Sequence, residues 1–251
     1  MSILDHPIIT RRYFFPRAGA PEQPWIVDVG DAQLSGWRAS DSLDRVVLFF
    51  HGNGEVVTDY LPWWPEQLAQ MGASTALVEY RGYGGSTGTP LLSGMLDDGP
   101  RILDALGVSP ERVVAFGRSV GSLYALHLAS VTPNLGGLIL ESGIANVLER
   151  LLIRMSPRDL GCSLHEMEQA IQQRFDHDQK IRSYPGPTLI LHADNDTLVD
   201  VSHAHRLAGW AGDRARCVIF NQGDHNSIFM ENQDEYLAAV RDFLTSLPTP
   251  S

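Results

Sequence analysis

The chain has 251 residues, 43% hydrophobic and 20% charged, with a formal net charge of −11. That length and balance suit a single domain, 1–251, with a substantial core, and exclude wholesale disorder. The acidic balance and the lack of any Lys/Arg run exclude a nucleic-acid binder, which needs a basic surface to displace counterions, and disfavour an anionic membrane as partner.

The order of elements begins with short antiparallel strands predicted at Tyr13-Phe14-Phe15, Trp25-Ile26-Val27 and Leu34-Ser35-Gly36-Trp37, separated by Pro and Gly turns. The pattern then changes to continuous apolar runs: Val46 to Phe50, Thr75 to Val78, Val113 to Phe116, Leu138 to Leu140, Thr188 to Leu191 and Cys217 to Phe220. Such runs are what strands buried on both faces require. Helical segments are predicted at Pro65 to Met71, Met95 to Leu106, Leu123 to Ala129 and His203 to Ala211. A last helix opens at Asn232 with Glu235 at the N3 place, and carries Tyr236, Val240, Phe243, Leu244 and Leu247 on one face. Alternating strands and helices predict an α/β fold with a mostly parallel sheet covered on both sides. A site is then expected beyond the carboxyl ends of the strands.

Residues 143–184 stand out as a small helical insertion, a candidate lid. Ile144, Val147, Leu148, Leu151, Leu152 and Met155 form one apolar stripe, with Asn146, Glu149, Arg150 and Arg154 opposite. A capping box, Ser163 to Glu166, opens a second helix with Leu164, Met167, Ile171 and Phe175 inward.

Chemistry gathers behind the apolar runs. Gly117-Arg118-Ser119-Val120-Gly121 sits between a strand and a helix, where a sharp turn exposes the serine hydroxyl and flanking glycines permit close chain approach. The helix that follows adds partial positive charge where an oxyanion would form. Ser119 is therefore the candidate nucleophile. His51-Gly52-Asn53-Gly54-Glu55 follows the first run, and the N–H of Asn53, with Gly54 as second choice, pairs with that of Val120 as a candidate oxyanion hole. His51 reads as a structural residue. A hydrolytic serine also needs an imidazole base held by a carboxylate. His225 follows the last strand, and Asp194 and Asp196 follow the strand before it, giving the chain order serine, acid, histidine.

With those residues in hand, the chain resembles the α/β-hydrolases, and more narrowly the Bem46-type serine hydrolases related to the ABHD13 and ABHD17 groups. The likeness is carried by His51-Gly52-Asn53-Gly54, Tyr80 to Ser86, Gly117 to Gly121, His192-Ala193-Asp194-Asn195-Asp196 and Gly223-Asp224-His225-Asn226. It implies the α/β-hydrolase fold, with Ser119 as nucleophile, Asp196 rather than Asp194 as acid, and His225 as base. Ala193 replaces a usual glycine, and the cysteine-rich start that anchors the depalmitoylating members is missing. The expected activity is cleavage of a small-molecule carboxylic ester or thioester through an acyl-enzyme. A peptidase or acyltransferase on the same residues, or a non-catalytic binding protein, is the alternative.

The remaining motifs point to no cofactor. Gly82 to Gly88 misses the spacing of a dinucleotide loop because Thr87 stands at the third glycine's place. His203 and His205, two apart on a helix, are expected to face solvent rather than hold a metal. Tyr60, Trp63 and Trp64 either wall the substrate pocket or pack in the core. Cys162 and Cys217 are expected as reduced thiols, and with no secretory pattern, membrane-length span or lipidation motif, a cytoplasmic protein is expected.

Overall fold

Why each apolar run becomes a strand is visible in which residues it buries. The computed structural model describes residues 2–40 and 43–250. A hairpin of β1 (Trp25–Asp28) and β2 (Gln33–Arg38) leads into β3 (Arg45–Phe50), β4 (Ala73–Val78), β5 (Val113–Arg118), β6 (Gly137–Glu141), β7 (Thr188–Ala193) and β8 (Ala215–Phe220). Among the described residues these form one eight-stranded sheet in the order β1-β2-β4-β3-β5-β6-β7-β8. The β1–β2 and β2–β4 pairs are antiparallel; every pair from β4 to β8 is parallel. Successive side chains go to opposite faces. Val47 and Phe49 therefore join one core, with Trp64, Phe116 and Phe243, while Leu48 and Phe50 join the other, with Leu123, Leu126 and Leu140. Neither face meets water, so neither can be polar.

The helices cover both faces. They are α1 (Pro7–Tyr13), α2 (Trp64–Gln70), α3 (Asp98–Leu106), α4 (Gly121–Val131), α5 (Val147–Leu152), α6 (Leu164–Phe175), α7 (His177–Ser183), α8 (Ser202–Ala211), α9 (Ile228–Glu231) and α10 (Gln233–Ser246). Trp64 packs its ring 6.1 Å from Phe49 and 5.7 Å from Phe116, which makes it a core residue. Tyr236, Val240, Phe243, Leu244 and Leu247 are all buried, as the periodicity requires. No helix among the described residues is long and apolar enough to cross a membrane.

Four local expectations are corrected. Tyr13-Phe14-Phe15 is not a strand: Pro7 starts a helix through Tyr13, His6 Nδ1 accepts from the Ile8 N–H at 3.2 Å, and only then does the chain extend at Phe14. Helix initiation at Pro7, with its preset φ, overrides the β preference of the aromatic triplet. Asn232 does not cap α10 with its side chain; its amide donates instead to the carbonyls of Gln222 and Ile228. Leu164 lies at the first turn of α6 and is 47% exposed, although the Ser163–Glu166 capping box forms. His203 is buried, not solvent-facing, whereas His205 is exposed.

That buried histidine belongs to the clamp on the 143–184 insertion. His203 Nδ1 accepts from the Ala145 N–H at 2.9 Å, and His177 Nδ1 lies 2.7 Å from the Ile144 carbonyl. Two neutral imidazoles thus pin the start of the insertion to α7 and α8. Burial holds His177 down at about 3 and His203 at about 4, assisted by Lys180 and Arg206 respectively. Both groups take up protons more readily unfolded, where their value is 6.5, than folded. Stability from the clamp is therefore complete above pH 6.5 and lost as pH falls toward 4, by about 1.4 kcal/mol per pH unit per histidine. Urea denaturation between pH 7.5 and 4.5 should show this loss, and His177→Gln, which keeps a donor for Ile144 but cannot titrate, should have a flatter profile.

Candidate active site

Two glycines set the geometry of the turn after β5. A Cβ on Gly117 would lie 2.5 Å from the Gly121 carbonyl oxygen, and one on Gly121 would lie 2.1 Å from that of Phe50. Only bare Cα atoms let α4 begin this close to β3 and β5. Between them Ser119 is forced to φ +52°, a left-handed conformation costly for a residue with a side chain, and its N–H donates to the Glu141 carbonyl at 2.8 Å. Ser119 is buried, 9% exposed, and lines a cavity of about 120 Å³.

The loops after β7 and β8 bring the other two side chains to it. His225 Nε2 is 2.9 Å from Ser119 Oγ, and His225 Nδ1 is 2.7 Å from Asp196 Oδ2. Asp196 Oδ1 accepts from the N–H groups of Leu198 (2.9 Å) and Val199 (2.7 Å). Burial alone would raise the Asp196 pKa, but His225 and these amides outweigh it and hold the carboxyl below its ordinary value. An ionised carboxylate only accepts, so the imidazole proton sits on Nδ1 and Nε2 turns its lone pair to the serine hydroxyl. Asp194 is exposed and takes no part, while Asp200 accepts from the Ser202 N–H at the start of α8.

Asn53 and Val120 both border this cavity. Their backbone N–H groups donate to no other group among the described residues. The Asn53 side chain is committed elsewhere: its oxygen accepts from Phe15 N–H (3.0 Å) and Tyr83 hydroxyl (2.8 Å), and its amide donates to the Tyr13 carbonyl. That anchoring holds the loop in place beside the cavity. His51 is buried, with Nδ1 2.8 Å from the Gly52 carbonyl and Nε2 3.0 Å from Glu79, a place under the loop rather than in the cavity. Among the described residues no cluster of His, Cys, Asp and Glu is arranged to hold a metal.

A charged hub beneath the site was not assigned a role from sequence. Arg118, the last residue of β5, donates through Nε to Glu141 (3.0 Å), through one terminal nitrogen to Glu55, and through the other to the His225 carbonyl (2.7 Å). Glu55 in turn accepts from Gly52 N–H (2.6 Å) and the Tyr60 hydroxyl, and Glu141 accepts from Tyr236 hydroxyl at 2.5 Å. One guanidinium therefore ties the elbow to the Asn53 loop and the His225 loop. Burial pushes the Glu141 carboxyl up, against the pull of Arg118 and Tyr236. The pairing had a signal in the sequence: Arg118 and Glu141 each end an apolar run, and the sheet puts them in register.

Gly121→Ala should cost about 2–3 kcal/mol in urea unfolding, because the new methyl meets main-chain oxygen and no side chain can yield. Arg118→Met should cost about 3–5 kcal/mol by leaving buried carboxylates unpaired, and adding Glu141→Gln should recover part of it. A double variant no more stable than Arg118→Met would show that Glu141 is not the stranded charge.

The chain is similar to several known proteins. A family model described as serine aminopeptidase, S33, matches residues 41–157. Uncharacterized protein YfhR of Escherichia coli (strain K12) is 26% identical over 235 residues, covering 87% of this chain and 78% of that protein. The alpha/beta hydrolase domain-containing protein WAV2 of Arabidopsis thaliana is 24% identical over 240 residues, covering 89% and 78%. The solved structure of the Pyrococcus furiosus esterase Pf2001 superposes with a TM-score of 0.74 at 16% identity, covering 92% of this chain and 98% of that one. With its sheet order and the turn after β5, the chain has the α/β-hydrolase fold.

Proposed function

We propose that this α/β-hydrolase is a serine hydrolase that cleaves a carboxylic ester or thioester through an acyl-enzyme. The observation that carries the reading is the relay of 2.9 Å from Ser119 Oγ to His225 Nε2 and 2.7 Å from His225 Nδ1 to Asp196. Ser119 attacks the carbonyl carbon as its proton passes to Nε2, and the imidazolium that results is stabilised by Asp196. The N–H groups of Asn53 and Val120 receive the negative oxygen. His225 then gives the proton to the departing alcohol or thiol. Water, deprotonated by the same nitrogen, releases the acid and restores Ser119.

The peptidase reading has one observation in its favour, the description of the family model matching residues 41–157. A panel of p-nitrophenyl esters beside aminoacyl p-nitroanilides separates the two, and faster turnover of the anilides would favour the peptidase.

Ser119→Ala should lower kcat by roughly 10⁶-fold on the best ester and abolish fluorophosphonate labelling. Asp196→Asn should lower it by about 10⁴-fold, because the imidazole then loses its tautomer, while Asp194→Asn stays near the unmodified rate. Retained ester hydrolysis in Ser119→Ala would remove that serine from the chemistry.

A further inference from the structure

Three guanidinium groups border the cavity at Ser119, but only Arg118 is neutralised by carboxylates. The other two, Arg150 and Arg154, come from the 143–184 insertion. Arg150 lies in α5, and the turn continues beyond it through the Arg154 N–H to the Leu151 carbonyl at 2.9 Å. A spacing of four residues puts both side chains on one face of that turn. Neither forms an ion pair among the described residues. Arg154 stacks 5.0 Å from the Phe15 ring centroid and reaches the Arg12 carbonyl at 3.5 Å, which holds it over the cavity with donors to spare. Arg150 is half-buried with no hydrogen-bond partner among the described residues.

The nearby acids are already engaged. Glu149 turns away to Arg206, at 2.8 and 2.9 Å, and to His203 at 3.3 Å. Asp159 pairs with Arg12 at 3.1 Å, and Glu55 is held by Arg118 and Tyr60. Tyr13, whose hydroxyl sits in the field of both free arginines, completes that wall of the cavity. Elsewhere arginines are either matched to carboxylates, as at Arg17 with Asp59, Arg81 with Asp98 and Arg174 with Asp97, or spent on main-chain carbonyls, as at Arg45, Arg112 and Arg214. Two unmatched guanidiniums facing one small cavity, in a chain of net charge −11, reverse the local field.

We propose that the substrate carries an anionic oxyacid group, a carboxylate or a phosphate, held by Arg150 and Arg154 while its ester or thioester carbonyl lies at Ser119. The planar fork of each guanidinium matches either group with paired N–H donors. The inference names a substrate class for the hydrolase reading above and rests on it for the reacting bond. A neutral ester of the same length forgoes these contacts, and the discrimination weakens as salt screens the exposed Arg154.

The test compares mono-p-nitrophenyl glutarate, which carries a free carboxylate on the acyl side, with neutral p-nitrophenyl pentanoate. 4-Carboxyphenyl pentanoate places the charge on the leaving group instead. The unmodified protein should prefer one of the charged esters by about tenfold or more in kcat/KM, and the preference should fall to about one in R150Q/R154Q. Thermal denaturation of the variant checks that it is folded. Equal rates on charged and neutral esters, or a preference indifferent to both substitutions, would overturn the proposal. Calorimetric titration with glutarate and with inorganic phosphate gives a second readout and separates carboxylate from phosphate. If Ser119 takes no fluorophosphonate and no ester turns over, the hydrolase reading falls while titration still decides the anion site. Binding of either anion that weakens about tenfold in R150Q/R154Q upholds it; no binding, or binding unchanged by the substitutions, overturns it.

Discussion

The buried guanidinium of Arg118 is the interaction on which the arrangement of the site depends. Three loops with no sequence neighbours in common reach it: the Asn53 loop through Glu55, the end of β6 through Glu141, and the loop after β8 through the carbonyl of His225. A charge taken out of water is costly unless nearly every donor finds an acceptor. Here the carboxylates are themselves held by Tyr60, Tyr236 and the Gly52 N–H, so the network is closed on most sides. It fixes main-chain positions, which matter more than side-chain contacts when the proposed working groups are an imidazole on one loop and amides on another.

Above that hub the backbone is strained at the elbow. Ser119 and Ser142, at the ends of neighbouring strands β5 and β6, are the non-glycine residues with positive φ among the described residues. Each is held there by its own N–H, Ser119 to the Glu141 carbonyl and Ser142 to the Leu191 carbonyl at 2.9 Å. A conformation costing of order 1–3 kcal/mol persists only where surrounding packing over-determines it. The glycines at 117 and 121 supply that packing, because they let α4 press its first turn against the sheet. Rigidity of the elbow and exposure of its hydroxyl have the same cause.

The insertion contributes differently. It is attached through buried apolar side chains such as Val147, Leu151, Met167 and Phe175 and through the polar clamp of His177 and His203, while Arg150 and Arg154 border the cavity. In the proposed reading the loops at the strand ends supply the reacting groups, and the insertion supplies the charge that selects what reaches them. The separation follows from the fold, since loops at strand ends are held by the sheet whereas an inserted segment is free to vary in composition.

The sequence by itself determined the strands, the elbow and the order of elements. Runs such as Val46 to Phe50 can only be buried on both faces, and Gly117 to Gly121 admits few backbone paths between a strand and a helix. The β preference of Tyr13 misled because helix initiation at Pro7 and His6 prevailed over it, and helix spacing misled at His203 because the distant Ala145 N–H drew it inside. Asp194 and Asp196 are alike as neighbours in a loop, and at the sequence level only the family resemblance favoured the second; the turn after β7 aims Asp196 at His225. The pairing of Arg118 with Glu141 and the unpaired state of Arg150 and Arg154 were decided there too. Periodicity reports which residues leave water, whereas the partner of a buried charge is set by which strand ends and loops the sheet order brings side by side.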